Sequence, residues 1–366
     1  MNKNAKNYKK IILKIMSESN INPKEKTSNI NMINNSSKKV ITEQPGIIEV
    51  YSHNFVQEIK TISTLIEEYN YIGMDTEFPG TVYCINNFTQ DFYYKTLKLN
   101  VDSLKLIQLG ITLTNSKGEY PKNYPYHTWQ FNLEFDINND KYAQNSLNLL
   151  INSGIDFNKL KKNGIKHKDF AEYFMISGLV LNPNINWISF HGSYDFGYLL
   201  HLLINSSLPD NENDFTKELS IYFPNHYDIR FLVQGNEKLQ GGLNKLAQYL
   251  EILREGKTHQ AGSDSVVTID VFFKLLKNGN IDKERLEMDK NILYGLGIGK
   301  NDNETIMYTK FGNGIPFNIN QNLMYMNAIN YYQYPNNQIM MIGNNLNMRN
   351  DRKGNNNNLI PTNKVA

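Results

Sequence analysis

The sequence predicts an α/β protein in which a mixed central sheet carries helices on both faces within a single domain. Three observations lead to this prediction. Three strand-like segments follow one another early in the chain, helical and strand-like segments alternate after them, and no internal repeat interrupts this order. The chain has 366 residues, 40% of them hydrophobic, which is enough apolar material for such a core.

The net charge, the single cysteine and the lack of long apolar segments limit the kinds of partner and compartment that we expect for this protein. Lys and Arg total 38 against 36 Asp and Glu, so the net charge of +2 gives no whole-molecule attraction for a polyanion, and a nucleic acid would have to be attracted locally. The single cysteine, Cys84, can form neither an internal disulfide nor a thiolate metal site alone, which favours the cytoplasm or the nucleus. No segment approaches the roughly 18 apolar residues of a spanning helix, so we expect neither a secretory signal nor a membrane partner.

Asparagine-rich composition marks both ends of the chain. Residues 1–47 are rich in Asn and Lys with little periodicity, and Asn supplies 19 of the 66 residues in 301–366. Such composition is typical of disordered segments. We therefore expect one folded domain over 48–300, between a disordered N-terminal tail and a disordered C-terminal tail.

The elements of the domain follow from periodicity and from turn residues. Apolar spacing predicts a helix over 55–66, and strand formers predict strands over 71–78, 104–114 and 127–135. A fourth, short apolar strand is expected over 186–190. The helices expected after the third strand cover 141–152, 167–177, 194–204, 214–222, 228–234, 242–253, 264–277 and 282–290.

Two acidic residues share one face of the strand over 71–78. Asp75 and Glu77 are two apart, so the pleat points both carboxylates to the same side. The Asp-x-Glu pattern is weak by itself, because it occurs three more times in polar stretches where water can solvate the carboxylates. Within an apolar strand, however, neighbouring carboxylates raise each other's pKa and need a compensating cation. This pair therefore indicates a bound metal ion.

A second motif, His-x-Ala-x-x-Asp, spans residues 259–264. Residue frequencies give roughly one chance match in a hundred or fewer for this pattern. Ser263 is expected to cap the following helix, which places Asp264 in the first turn and His259 in the preceding loop. A histidine with an ordinary pKa of about 6.5 can take a proton from water near neutral pH, so His259 is the candidate general base.

A third acidic residue follows the predicted strand over 186–190. A turn containing Gly192 leads into a helix that opens near Asp195, and ligands collect at such positions in α/β sheets. Asp195 could instead simply cap its helix. His191 is expected to be a turn residue rather than a ligand.

Together the motifs supply an oxygen-rich set of side chains. Asp75, Glu77, Asp195 and Asp264 are the ligands that two Mg²⁺ or Mn²⁺ ions prefer, whereas zinc would require more nitrogen or sulfur. Two such ions can activate a water and stabilise the leaving oxygen of a phosphoryl displacement. The predicted chemistry is therefore phosphodiester hydrolysis, with His259 as general base and no covalent intermediate.

These motifs belong to a wider pattern. The segments that carry it are Met74–Gly80, Asn100–Gly110, Thr128–Asn132, Ser189–Tyr198, Tyr227–Arg230, His259–Ser265 and Leu293–Gly297. The acidic and histidine motifs resemble those of DEDD-type 3′-to-5′ exonucleases of the histidine subclass, which have a ribonuclease H-like fold. The full set is similar to the Pop/Caf deadenylase subunit of the carbon-catabolite-repression/Not complex, and the similarity covers about residues 48–300.

The resemblance implies a 3′-to-5′ exoribonuclease that shortens mRNA poly(A) tails in the cytoplasm and releases AMP. It implies that Asp75, Glu77 and Asp264 hold one metal ion, that Asp75 is shared with a second ion, and that Asp195 supports the second ion. It also implies three kinds of partner: a Not-type scaffold subunit, a companion deadenylase with leucine-rich repeats, and adaptor proteins that recruit mRNAs.

Several points stay open. Lys98 stands where the family usually has Arg, which loses a two-pronged phosphate contact, and the loop 254–258 lacks a proline expected near Lys257. Phe78 could stack on a terminal base or could be a core aromatic that closes its strand. Two other functions also stay open: a weakly active, scaffold-bound interaction module, and a related nuclease that acts on another nucleic acid.

Overall fold

The computed structural model describes residues 46–85, 91–254 and 256–296, and the backbone of residues 340–342. The predicted tails therefore lie almost entirely outside the described residues. None of the helices in these ranges is long and apolar enough to cross a membrane.

The strands of these ranges form a six-stranded mixed sheet and a separate two-stranded sheet. They are β1 (Gly46–Val50), β2 (Tyr71–Glu77), β3 (Tyr83–Ile85), β4 (Gln108–Thr114), β5 (Tyr126–Asn132), β6 (Asn186–Ser189), β7 (His226–Asp228) and β8 (Met340–Ile342). The large sheet has the order β1-β5-β4-β2-β6-β7, and β3 pairs with β8. β2 lies near the centre, antiparallel to β4 and parallel to β6.

Helices cover both faces of the large sheet, as the sequence predicts. They are α1 (Phe55–Leu65), α2 (Phe92–Val101), α3 (Gln144–Ser153), α4 (Phe157–Asn163), α5 (His167–Ile176), α6 (Ser193–Ile204), α7 (Glu212–Tyr222), α8 (Ile229–Leu232), α9 (Leu243–Tyr249), α10 (Ala261–Lys277) and α11 (Lys283–Met288). The largest apolar core joins one sheet face to α1, α2, α5, α6 and α7. A second core joins the other side of the sheet to α9 and α10.

Helix α10 lies unusually close to the central strands because two glycines face it. A Cβ atom on Gly110 would lie 1.9 Å from the carbonyl oxygen of Ala261, and one on Gly73 would lie 2.6 Å from the Cβ of Ile269. The hydroxyls of Thr112 and Ser265 are hydrogen-bonded at 2.8 Å across the same contact. This contact fixes the first turn of α10 over the end of β2.

The structure shifts some predicted boundaries and adds elements. The strand expected over 104–114 begins at Gln108, and the helix expected over 242–253 ends at Tyr249. β1, β3, β7, β8, α2 and α4 are absent from the prediction. α2 buries the polar residues Thr96 and Asn100 along with its apolar residues, which hides its periodicity. α4 is only 7 residues long, too short to show a helical repeat.

Candidate active site

Acidic side chains from three elements converge at the end of β2. Asp75 and Glu77 lie on the same face as Gly73, which contacts α10, and Asp264 lies in the first turn of that helix. Oxygens of Glu77 and Asp264 and a ring nitrogen of His259 all lie within 4.8 Å of one another. Asp195, in the first turn of α6, accepts a hydrogen bond from the hydroxyl of Thr76 on β2 at 2.6 Å. The structure thus brings all five predicted residues together.

Burial and mutual repulsion disturb the ionisation of this cluster. Burial raises the pKa values of Asp75 and Glu77 well above their usual range, and the charges of Asp264 and Asp195 raise them further. The pKa of Asp195 rises to about 7, mainly through burial, although its hydrogen bond from Thr76 acts in the opposite direction. The carboxylates therefore repel one another in the absence of a cation.

One arginine that the sequence motifs do not include contacts the cluster. The guanidinium of Arg254 donates hydrogen bonds to Asp264 at 2.5 Å, to the hydroxyl of Ser263 at 3.1 Å and to the side-chain oxygen of Asn244. Its positive charge also lowers the pKa of Asp75. A single guanidinium can neutralise only one of the four carboxylates, so an ionised cluster keeps an excess of negative charge.

His259 occupies the loop before α10, as predicted. Its backbone is in the left-handed region with φ 59°, and its backbone N–H donates to the carboxylate of Asp264 at 2.9 Å. The residue is partly exposed, unlike the neighbouring Glu77 and Asp264, which are buried. This position is compatible both with a general base and with a metal ligand.

The expected N-cap of α10 is wrong. The helix begins at Ala261 rather than after Ser263, because side chains of the sheet take over the capping role. Gln108 accepts a hydrogen bond from the backbone of Ala261 at 3.3 Å, and Gln130 accepts one from the backbone of Gly262 at 2.8 Å. Asp264 stays in the first turn, so the predicted placement of its carboxylate is unaffected.

A buried carboxylate outside the predicted site organises the approach to Asp195. Asp228 accepts hydrogen bonds from the backbone N–H groups of His191 (2.7 Å), Gly192 (3.2 Å), Arg230 (3.0 Å) and Tyr294 (2.9 Å). His191 has φ 62° and lies in the bend before α6, which agrees with its expected turn role. Asp228 therefore ties the β6-α6 turn to the chain beyond α11.

Phe78 and Lys98 contact the protein itself. The ring of Phe78 is stacked on Tyr194, with ring centres 5.3 Å apart, so one of its faces is covered. Stacking of a base on Phe78 stays a prediction. The ammonium of Lys98 donates to Asp102 at 2.8 Å and to the backbone oxygen of Leu208 at 2.7 Å, so it links α2 to the chain after α6.

The donor set fits a hard divalent cation. The four carboxylates supply oxygen ligands, and Glu77, Asp195 and Asp264 are each only 8% exposed. Arg254 alone does not balance the negative charge of the four groups. Mg²⁺ and Mn²⁺ prefer such oxygen ligands and compensate clustered negative charge. Asp75, Glu77, Asp195 and Asp264 are therefore suitable metal ligands, with His259 beside them.

Clustered carboxylates at the end of a central strand in a mixed sheet of this order define a ribonuclease H-like nuclease. Residues 50–176 match the CAF1 family ribonuclease model. A protein of Arabidopsis thaliana named as a probable CCR4-associated factor 1 homolog is 45% identical over 260 residues, which cover 69% of this chain and 94% of that protein. The chain belongs to the CAF1 ribonuclease family.

One further relative and two solved structures agree with this assignment. The poly(A) ribonuclease pop2 of Schizosaccharomyces pombe is 44% identical over 257 residues, which cover 69% of this chain and 75% of that protein. A structure of S. pombe Pop2p with bound Mg²⁺ and Mn²⁺ aligns with a TM-score of 0.65 and 43% identity, over 69% of this chain and 100% of that chain. A structure of the yeast NOT1 MIF4G domain co-crystallised with CAF1 aligns with a TM-score of 0.59 and 32% identity, over 68% of this chain and 96% of that chain. The predicted fold class is confirmed.

Proposed function

We propose that this protein is a metal-dependent 3′-to-5′ exoribonuclease that shortens the poly(A) tails of mRNA and releases AMP. The observation that carries the proposal is the convergence of Asp75, Glu77, Asp195 and Asp264 at the end of β2, in a chain of the CAF1 ribonuclease family. A relative with 44% identity is named a poly(A) ribonuclease, which supports the choice of substrate.

The cofactors are two divalent ions, Mg²⁺ or Mn²⁺. Asp75, Glu77 and Asp264 would hold one ion, with Asp75 shared by the second ion and Asp195 supporting it. When bound, the ions supply activation of a water and stabilisation of the leaving 3′ oxygen. The S. pombe Pop2p structure, solved with both metals, supports this choice.

His259 is the general base of the reaction. Its imidazole takes a proton from the attacking water, and the water oxygen forms the new bond to phosphorus as the bond from phosphorus to the 3′ oxygen of the preceding nucleotide breaks. That 3′ oxygen takes up a proton and becomes the new 3′ hydroxyl end of the RNA. The backbone hydrogen bond from His259 to Asp264 holds the loop against α10, which keeps the ring beside the carboxylates. The released nucleotide keeps its 5′ phosphate, so the product is AMP.

A Not-type scaffold subunit is the partner that the comparisons support, since yeast CAF1 was co-crystallised with the NOT1 MIF4G domain. We further propose a companion deadenylase with leucine-rich repeats and adaptor proteins that recruit mRNAs. The proposed compartment is the cytoplasm, with the nucleus as the alternative. The single cysteine of the chain is compatible with either.

The function is tested with a 5′-labelled RNA ending in about 20 adenosines, beside an RNA with a non-A tail and a DNA strand, at fixed salt. Mg²⁺ or Mn²⁺ should support stepwise loss from the 3′ end, and EDTA or Asp75→Asn should abolish it. Asp210→Asn is the matched control, because Asp210 lies in another Asp-x-Glu pair and its side chain is 99% exposed. Internal cuts or equal attack on DNA would overturn the proposal, and an inactive protein that binds a NOT1 MIF4G domain would favour the interaction module.

The role of His259 needs a separate measurement. His259→Gln should slow hydrolysis near neutral pH while Mn²⁺ binding, measured by calorimetry, stays close to that of the wild-type protein. Loss of Mn²⁺ binding in this variant would instead make His259 a ligand, which its distance to Glu77 and Asp264 also permits.

A further inference from the structure

A group of lysines lies in the segment that contains α4 and the start of α5. Residues 157–168 carry five lysines and no acidic residue, and all five lysines are exposed. We name this group the lysine strip; its members are Lys159, Lys161, Lys162, Lys166 and Lys168. Because the net charge of the chain is only +2, such a local excess of positive charge is a distinct feature of its surface.

The segment that carries the lysine strip lies at the same end of the sheet strands as the acidic site. The carbonyl of Glu77 accepts from Ile107 at 2.9 Å, and the carbonyl of Ile107 accepts from Leu133 at 2.9 Å. Leu133 in turn forms a parallel bridge with Ile165, which lies in the sequence between Lys162 and Lys166. Neighbouring strands are about 4.8 Å apart, so three such steps span about 15 Å. A few nucleotides of single-stranded RNA cover this distance.

A second connection runs through the loop that carries His259. The side chain of Gln260 donates to the backbone oxygen of Ser153 at 3.1 Å. The ammonium of Lys257 lies 3.2 Å from the position that a Cβ atom on Gly154 would take. Lys257 is exposed, so it adds a positive charge between His259 and the start of α4.

The neighbouring acidic groups compensate only part of this charge. Lys161 pairs with Asp136 at 2.8 Å, and Lys168 lies 3.9 Å from Glu172. Within the part of the chain that the structure describes, Lys162 and Lys166 have no ion pair or side-chain hydrogen bond. The other acidic residues of this region are Glu134, Asp156 and Asp169, all of them exposed. Lys162 and Lys166 are thus the members best placed to bind an external anion.

We propose that the lysine strip, together with Lys257, binds the phosphodiester backbone of the RNA upstream of the 3′ end that enters the acidic site. The proposal rests on the proposed function, because it requires a polynucleotide whose end reaches Asp75 and Glu77. An acidic protein segment has the same charge. RNA is favoured because the strip and the acidic site lie at the same end of the sheet strands, and only a nucleic acid has to occupy both.

The expected effect follows from counterion release. Each phosphate contact made by a lysine contributes about 0.7 to the slope of log affinity against log salt for a single strand. Lys162→Gln with Lys166→Gln should therefore reduce that slope by about 1.4 and raise KM for the 20-adenosine RNA several-fold at low salt. The value of kcat should stay within twofold, since both lysines lie far from the reacting bond.

The matched control is Lys117→Gln with Lys277→Gln. Lys117 lies in the connection between β4 and β5, at the opposite end of the strands from the acidic site, and Lys277 ends α10 at the end remote from Asp264. Both are exposed, so this variant has the same net charge as the test variant. Its salt slope and KM should equal those of the wild-type protein.

Three readouts separate the outcomes. Fluorescence anisotropy of the labelled RNA in EDTA measures binding without hydrolysis, and hydrolysis of the dinucleotide ApA, too short to reach the strip, should be unchanged in the test variant. A wild-type protein that hydrolyses neither substrate contradicts the proposed function. If the wild-type protein is active and the test and control variants have equal salt slopes for RNA binding, this proposal alone is overturned. Loss of poly-glutamate binding in the test variant only would then assign the strip to an acidic protein segment.

Discussion

Gly110→Ala should disable the site although it adds only a methyl group. The new Cβ would lie 1.9 Å from the carbonyl oxygen and 2.1 Å from the carbonyl carbon of Ala261, and both atoms are backbone. Reaching ordinary contact near 3.4 Å requires α10 to move from the sheet by about 1.5 Å. Gly110 is also the residue paired with Asp75, so the movement separates Asp264 from Asp75 directly.

The magnitude has two parts. Overpacking of this kind costs about 1–3 kcal/mol, and in a domain of this size each kcal/mol lowers Tm by about 2–4 °C. A displacement of about 1 Å at a catalytic group can reduce the rate about 100-fold. We therefore expect a lower Tm together with a loss of kcat on the 20-adenosine RNA that exceeds what partial unfolding explains.

Gly242→Ala is the control for this experiment. Its Cβ would meet nothing within 4 Å, and its φ of −79° is open to any residue. Melting followed by circular dichroism and single-turnover hydrolysis should leave this variant equal to the wild-type protein. A Gly110→Ala protein with an unchanged Tm and a kcat within twofold of wild type would refute the close packing of α10 on β4.

Three other perturbations test the site. Arg254→Gln should lower the unfolding free energy in EDTA by about 1–3 kcal/mol because Asp264 loses its ion-pair partner, and Arg254→Lys should recover part of this loss. Melting curves with and without Mn²⁺ should show that the metal narrows the difference in stability between Arg254→Gln and the wild-type protein. The pKa of Asp195 is about 7 in the folded protein against 3.8 for an ordinary aspartate, so in EDTA this group contributes stability below about pH 4 that is lost as the pH rises through 7. Denaturant titrations between pH 4 and 7 should therefore show the unfolding free energy falling, and a flat profile would contradict the raised pKa. Phe78→Leu keeps an apolar contact with Tyr194, so its Tm should be unchanged. If a base stacks on Phe78, kcat/KM should fall about 5- to 100-fold, and an unchanged kcat/KM would exclude base stacking.

The residues of the site could be named from the sequence because each lies in a local pattern. Asp75 and Glu77 are revealed by alternation in a strand, and His259 and Asp264 by a loop followed by a helix. Their convergence depends on β2 being central in the sheet and on α10 crossing it, which no local pattern determines. The family resemblance implies that these residues share one metal site, and the structure places their side chains together.

The supporting residues could not be found in this way. Arg254 contacts Asp264 only because the loop before α10 folds back on the helix, and Thr76 contacts Asp195 only because β6 places α6 beside β2. Gln108 and Gln130 replace the expected cap of α10 from two strands distant in sequence. Such contacts arise from tertiary packing, and polar residues in a strand give no sign of them.

The four hydrogen bonds to Asp228 set a practical limit on shortening the chain. Asn291 exchanges hydrogen bonds with His226, and Tyr294 supplies one of the donors to Asp228, so residues 291–296 complete the sheet edge beside Asp195. A truncation that ends at 290 would remove one of the four hydrogen-bond donors to a buried anion and loosen the turn before α6. A minimal recombinant domain should therefore extend through Leu296, even though α11, its last helix, ends at Met288.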